Sequence, residues 1–348
     1  MTLTKKAILI ISPEPWDHIF VSKHHYANTL ARLGNKVYFL NPPSHQDRVV
    51  EDNGVYVIDY KNKFPGIHRL PPVVRDFFMR IQVKALARHW DHLDVVWSFD
   101  PFRFQRLDVF NADVKIYHAV DVHTTTLEYE IANNADYTFF SSKKLLASIE
   151  TQKPKFFVNH GLASHFLDHD FTYHRGENIT VGYMGNLGYK YLDVEVIVNI
   201  VKSHPDVRFE FIGPYIDSDL YEALNTANNC LFTGKIDSKD LPKALDNMDL
   251  FVMSYKCKDN PATLANPHKI LEYLSTGRVI ISHYIDEYKG LDDLVVMAED
   301  NPQLPALFSK VLTRLEFYNS PELVTARKNL ARSNSYEEKI QFINKVIS

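Results

Sequence analysis

Short runs of β-branched and aromatic residues alternate with longer stretches of helical periodicity along the whole chain. Strands joined by connections of helix length pair in parallel, and each crossover then covers one face of a sheet. In the first half the expected strands are Ala7–Ile11, Lys36–Leu40, Val55–Ile58, Val95–Ser98, Lys115–His118, Tyr137–Ser141 and Phe156–Val158. Helices are expected over Ser22–Leu33, Pro72–Trp90, Phe102–Val109, Thr125–Asn133 and Lys143–Thr151. From Gly161 to Asn178 the composition turns polar and rich in turn formers, as in a linker. A second strand series then follows: Thr180–Met184, Arg208–Ile212, Leu231–Phe232, Leu250–Met253, Val279–Ser282 and Val295–Met297. Its helices are expected over Val194–Ser203, Asp219–Asn225, Ser238–Asn247 and Pro267–Ser275, and three helical stretches close the chain. A chain of 348 residues is long for one hydrophobic core. The fold class is therefore α/β, with two doubly wound Rossmann-like domains facing across a cleft. Residues 1–170 form the first and 178–325 the second, and a C-terminal helix within 326–348 packs back on the first. In such sheets ligands bind beyond the carboxyl ends of the strands.

Several function classes are excluded. Cys230 and Cys257 make neither a disulfide framework nor a metal-ligand pattern. His165 and His169 lack a third ligand. The acidic pairs Asp217-Ser-Asp219 and Asp168-His-Asp170 fall in polar loops, so no metal is expected. Neither G-x-G-x-x-G nor G-x-x-x-x-G-K-[ST] occurs. With no charged-then-apolar leader and no apolar run near eighteen residues, the chain is expected to be cytoplasmic. Between Lys61 and Trp90 seven Lys or Arg stand against one acid, Asp76, in a chain of net charge −4. Phe64, Phe77, Phe78, Met79 and Trp90 are interleaved with those bases. Such a segment suits peripheral contact with an anionic membrane at its inner face, or a solvated helix over a core stripe. One basic stretch in an acidic protein does not make a nucleic-acid surface.

The chemistry concentrates in Asn266-Pro-His-Lys-Ile-Leu-Glu-Tyr-Leu-Ser-Thr-Gly277. Pro267 suits the first turn of a helix, where a missing N–H costs nothing, and Gly277 suits the left-handed position past its end. Free N–H groups and the dipole of such a helix start attract phosphate. Glu272, further inside, can accept two hydrogen bonds from a cis-diol. Phosphate and diol together outline a nucleotide sugar. Upstream, Tyr183-Met-Gly-Asn-Leu187 is a strand-to-loop switch in which glycine allows close backbone approach, and Lys190 adds a point charge.

These segments, with Phe211-Ile-Gly-Pro214, Phe232-Thr-Gly-Lys235 and Asp249-Leu-Phe-Val-Met-Ser254, fall in the order and spacing of a known family. The chain resembles GT-B glycosyltransferases, most of all the family 4 branch that builds capsular and exopolysaccharides. Ser22-Lys-His-His25, Tyr117-His-Ala-Val-Asp-Val-His123 and Asn159-His-Gly-Leu162 extend the resemblance through the first half.

The resemblance implies transfer of a sugar from a nucleoside diphosphate donor, UDP- or GDP-linked, to a glycan or lipid-linked acceptor, with no separate cofactor. It places Lys190 or Lys269 near the pyrophosphate, the Gly185–Asn186 backbone and Gly213 along the cleft, and Lys235 and Ile236 beside the base. Pro267 and His268 open the donor helix, and Glu272 holds the ribose. Asp121 follows a buried strand and is flanked by His118 and His123. It would act as the general base of an inverting enzyme, bind acceptor, or cap a helix. His25 is the other expected catalytic or acceptor-side residue, unless it is a plain surface residue as His24 would equally be. Trp16, in a first-strand loop without the usual glycine pair, would stack on an acceptor sugar or pack. One departure is clear: Leu264 stands where many family 4 enzymes carry a second glutamate, and Asp259 or Asn260 would have to substitute. Two alternatives share the fold: a nucleotide-sugar 2-epimerase and a catalytically silent nucleotide-sugar-binding subunit.

Overall fold

The computed structural model describes residues 2–18, 20–120, 125–172, 176–256 and 266–348. Asp121, His123, Cys257, Asp259, Asn260 and Leu264 lie outside these residues. Chain contacts divide the protein into two units, Met1–His160 with Tyr336–Ser348, and Gly161–Ser335. The crossing thus falls at the start of the turn-rich stretch, and the return at Tyr336 rather than 326. Residues 321–332 stay with the second unit because their helix packs on the helix that carries Glu272.

The first unit holds β1 (Ala7–Ile11), α1 (Ser22–Arg32), β2 (Lys36–Leu40), β3 (Arg48–Asp52), β4 (Val55–Asp59), α2 (Pro72–Leu86) and β5 (Val95–Ser98). It continues with β6 (Val114–Ala119), α3 (Thr126–Asn134), β7 (Tyr137–Phe140), α4 (Lys143–Ser148) and β8 (Lys155–Phe157). Its sheet runs β3-β4-β2-β1-β5-β6-β7-β8, parallel except for the antiparallel β3–β4 edge. The apolar runs are continuous because both faces are covered. Along β1, Leu9 and Ile11 enter one core with Tyr38, Leu40 and Val96. Ile8 and Ile10 enter the other with Phe39 and Trp97.

The second unit holds α5 (Ser164–Leu167), β9 (Thr180–Met184), α6 (Val194–Ser203), β10 (Arg208–Ile212), α7 (Asp219–Leu224), β11 (Cys230–Gly234), α8 (Leu241–Leu245) and β12 (Leu250–Met253). After these come α9 (Lys269–Thr276), β13 (Val279–His283), β14 (Val295–Ala298), α10 (Leu304–Leu312), α11 (Leu315–Tyr318) and α12 (Pro321–Arg332). Its parallel sheet runs β11-β10-β9-β12-β13-β14, so the order reverses between β9 and β12. The final helix α13 (Tyr336–Ile347) rejoins the first unit, where Ile340, Ile343 and Ile347 enter the core beside α1. Both units are Rossmann-like, the fold class that the alternation of strands and helices predicts.

One expected helix is absent, one strand goes unpredicted, and the choice left open at Trp16 is decided. No helix forms over 102–109, where only Leu107–Phe110 makes a short turn. Arg103 is instead drawn across the strand ends to Ser12 O, Asn41 O and Asp100, which fixes the segment as a loop. Strand β3 escapes pattern reading because all five of its residues are exposed. It hangs on β4 through the Asn53-Gly54 turn, whose φ angles of 51° and 79° make a tight hairpin. Trp16 is buried against Phe20, His24 and Phe39, and its Nε1 donates to Asp52 Oδ2 at 2.7 Å, so it packs rather than offering a face to a sugar.

Candidate active site

The order reversal in the second sheet lies between β9 and β12, the position where open α/β sheets bind ligands. The chain leaves β9 through Gly185 and the adjacent β10 through Gly213, with φ angles of 153° and 141°. A Cβ on Gly213 would land on the Gly185 carbonyl oxygen, so the two strand ends touch backbone to backbone. A Cβ on Gly185 would come 2.5 Å from Lys269 Nζ. The glycines therefore make room for one another and for an ammonium group.

They do not supply the anion-binding N–H groups that their sequence context suggests. Gly185 N–H donates to Ile212 O at 2.8 Å and Gly213 N–H to Gly234 O at 2.9 Å. Leu187 N–H donates to Pro214 O at 3.0 Å, and Gly188 N–H to Asn186 Oδ1 at 3.0 Å. Tyr189 N–H reaches Asn186 O at 3.2 Å. From Gly185 to Tyr189, Asn186 N–H is the one with no partner among the described residues.

Lys269 opens α9, with His268 in the turn just before it and Pro267 one residue further out. Its Nζ donates to Tyr255 Oη at 2.5 Å and lies 5.7 Å and 5.3 Å from the Tyr183 and Tyr255 ring centroids. Glu272 follows three residues on, hence on the same helical face. Burial pushes its carboxyl up to about 7, with the Lys269 charge pulling the other way. The side chain keeps partial contact with solvent. Tyr273, the next residue, clamps the end of β9: its hydroxyl accepts from Met184 N–H at 2.8 Å and donates to Met184 O at 3.3 Å. Its ring stacks on Phe251 of β12 at 4.2 Å. Gly277 ends the helix at φ 81°, in the left-handed region as expected.

Sequence reading missed Tyr255, Tyr273 and His283. Tyr255 N–H donates to the buried His283 Nδ1 at 3.2 Å, and Asn301 Nδ2 holds Tyr255 O at 2.8 Å. The available signal was position, since Tyr255 follows the strand at the order reversal. Lys190 is exposed, with Nζ 4.6 Å over the Tyr191 ring, whereas Lys269 is the lysine placed at Gly185. Lys235 and Ile236 follow β11, whose terminal Gly234 pairs with Gly213.

In the first unit His25 stacks on Tyr336 at 5.1 Å and is half-buried. His24 is fully buried; its Nδ1 accepts from Val21 N–H and its Nε2 donates to Pro15 O, a neutral tautomer, and burial lowers its pKa. His118 is sealed among Tyr26, Trp97 and Phe99, and burial drives its pKa down to about 3. The switch point of this sheet, between β1 and β5, is filled by Arg103, which donates to Ser12 O, to Asn41 O and to Asp100. The one metal-type cluster among the described residues, His92, Asp94 and Asp113, lies at the amino ends of β5 and β6. There Asp94 is engaged by Lys6 and by Ala7 N–H.

Solved structures share this architecture over nearly the whole chain. Sucrose-phosphate synthase from Thermosynechococcus elongatus superposes with a TM-score of 0.73 at 11% identity, covering 98% of both chains. Anabaena HepE, solved in complex with UDP and glucose, gives 0.69 at 13% identity over 98% of this chain and 99% of that one. The protein therefore has the GT-B fold. Residues 178–314, which contain Gly185, Gly213, Lys269 and Glu272, match the family of glycosyl transferases group 1. A candidate teichuronic acid biosynthesis glycosyltransferase of Bacillus subtilis strain 168, TuaH, is 25% identical over 164 residues. That alignment takes in 46% of this chain and spans 41% of the relative's length. No described helix is long and apolar enough to cross a membrane.

Proposed function

We propose that the protein is a glycosyltransferase that moves a sugar from a nucleoside diphosphate to a hydroxyl of a glycan or lipid-linked glycan in surface-polysaccharide synthesis. The observation that carries this is the ammonium group of Lys269 set against Gly185 at the order reversal of the group 1 domain. In this reading the diphosphate lies on Lys269 Nζ and the free Asn186 N–H, while Gly185 and Gly213 keep side chains out of its way. The ribose hydroxyls donate to Glu272, on the same helical face as Lys269. Gly234, Lys235 and Ile236 border the base. Uridine is the first base to test, because the neighbour HepE was solved with UDP. Tyr255 holds the Lys269 amine in place, and Tyr273 fixes the end of β9 so that the glycine loop keeps its geometry.

The attacking hydroxyl requires a proton acceptor. We assign that role to Asp121, with His25 on the acceptor side. The substitution of Leu264 for a second glutamate removes one sugar contact, which favours an inverting base over a retaining mechanism. Lys269 offsets one of the two negative charges of the diphosphate and the Asn186 N–H adds a hydrogen bond, so transfer is expected to survive a chelator.

The test is a panel of UDP- and GDP-sugars scored by thermal stabilisation, since a ligand bound by the folded state raises apparent stability. The stabilising sugar is then incubated with lipid-linked acceptor extracts, with and without chelator. Stabilisation by one nucleotide sugar and its transfer support the reading. Conversion of the free sugar without acceptor would assign an epimerase. Stabilisation without turnover in any acceptor pool would assign a binding subunit.

A further inference from the structure

Helix α2 lays one side on the first unit's core, where Met79, Val83 and Leu86 are buried with Leu9, Ile58 and Leu107. Its other side is apolar as well. Val73 is 82% exposed, Phe77 60%, Val74 42% and Ile81 37%, and Leu70 just before the helix is 38% exposed. Val73, Phe77 and Ile81 recur every four residues, which makes a stripe along the outer face with Phe77 at its middle. A soluble helix lying over a core should be polar there. This one spends its exposed positions on large hydrocarbon.

The charges around the stripe have one sign. Arg80 and Lys84 fall on the same outer face by helical spacing, Arg69 precedes the helix, and Arg88 follows it, paired with Asp47. The carboxylates near them are already engaged. Asp76, the sole acid from 61 to 90, is mostly buried, 3.1 Å from Arg106 and 3.7 Å from Arg75. Glu130 takes Arg75 at 2.7 Å, and Asp108 is shared between Arg106 and Arg80. Lys61 and Lys63 are pinned alongside by Gln82, which accepts from Lys63 N–H at 2.9 Å and donates to Lys61 O at 3.4 Å.

We propose that this face of α2 docks on the surface of an anionic phospholipid bilayer, with Phe77, Val73 and Ile81 in the acyl boundary and the bases among the phosphates. Charge complementarity selects this occupant. A protein partner burying the stripe would have to bring acids to match a rim of unlike length and reach, whereas a layer of phosphodiesters matches any arrangement of bases. The proposal concerns the first unit alone and does not depend on the glycosyl-transfer reading, because its test uses neither donor nor acceptor.

The full chain is sedimented with vesicles of phosphatidylcholine alone, or of phosphatidylcholine mixed with phosphatidylglycerol, at low and high salt. Binding at least about tenfold tighter to the anionic vesicles, weakened by salt, is expected. Phe77→Asp should lower that affinity by about tenfold or more, and the double variant Arg80→Glu, Lys84→Glu should abolish the preference for anionic lipid. Phe317→Asp, an equally exposed site on the second unit, should leave binding unchanged. Circular dichroism checks that each variant folds. Equal binding to both vesicle types, or unchanged binding by Phe77→Asp, would overturn the proposal. So would a concentration-dependent dimer, without lipid, that Phe77→Asp dissolves, since the face would then belong to a second copy of the chain.

Discussion

Glu272 stands near the midpoint of its own titration at neutral pH, because burial has pushed its carboxyl up to about 7. A carboxylate accepts hydrogen bonds at both oxygens, while a carboxylic acid gives up part of that capacity to its own proton. If the ribose diol binds only the ionised form, affinity for a nucleotide sugar must fall as the solution is acidified. One pKa unit corresponds to about 1.4 kcal/mol, and between pH 7.5 and 5.5 the ionised fraction drops about 25-fold. Partial exposure of the side chain screens its environment, so this figure is a ceiling. The ligand-free protein should behave in the opposite sense. A raised carboxyl pKa contributes stability that is fully present below the usual value of 4.5 and is lost as pH rises through about 7.

Calorimetric titration with the stabilising nucleotide sugar separates these effects. A sugar diester of the diphosphate has no group of its own titrating in this range, unlike free UDP. Repeating the titration near pH 6 in buffers of different ionisation enthalpy should reveal the release of nearly one proton on binding. Glu272→Gln should show weaker binding at pH 7.5 by about 1.5–3 kcal/mol, the scale of a charge-assisted hydrogen bond. Its affinity should also be flat from pH 5.5 to 7.5, with no proton released. A variant that retained the wild-type slope would show that some other group titrates, and Glu272 would leave the site.

Three further outcomes follow from the same geometry. Gly213→Ala forces a Cβ onto the Gly185 carbonyl at a left-handed φ; it should cost at least about 3 kcal/mol in chemical denaturation and remove nucleotide binding. Asp121→Asn should lower turnover by about a hundredfold or more with donor affinity nearly unchanged, the split expected of a general base; near-normal turnover would exclude that role. His118 is held neutral in the fold down to about pH 3 while the unfolded chain takes a proton near 6.5, so stability must fall on acidification. The loss should reach about 2.3 kcal/mol between pH 6.5 and 4.5. All three tryptophans, Trp16, Trp90 and Trp97, lie in the first unit and report its unfolding, and His118→Phe should flatten the acid limb.

What the sequence disclosed of this molecule depended on residues whose backbone or charge has few other uses. Gly185, Gly213, Gly277 and Glu272 are of that kind, and so is each buried strand from Ala7–Ile11 to Val295–Ala298, where uninterrupted apolar runs leave little choice. Aromatic residues carry no such signal. Tyr255 and Tyr273 read as ordinary core, and they are core, but their hydroxyls hold Lys269 and the end of β9. Only the pairing order of the strands tells which buried tyrosine faces a switch point, and pairing is not a property of any local window. Choice between Lys190 and Lys269 was illegible for the same reason: one is close to Gly185 in sequence, the other in space.

Six consecutive parallel strands of the first sheet, β4 to β7, run in the same order as the second sheet, yet the two differ where that order reverses, and electrostatics explains which one is suited to a diphosphate. In the first, Arg103 ties together the ends of β1, β2 and β5, and its charge is cancelled by the buried Asp100 carboxylate. A switch point plugged by a neutralised Arg–Asp pair has neither room nor field for an anion. In the second, Lys269 donates to a phenol, Tyr255, and the nearest acid on its helix is held largely protonated below neutral pH. The ammonium charge is therefore left to act on a ligand in a partly desolvated site, where it is worth more than in water. Reversing that arrangement tests it directly. Lys269→Met should remove the diphosphate affinity while sparing the fold, whereas Arg103→Met should unfold the first unit and leave nucleotide binding by the second intact.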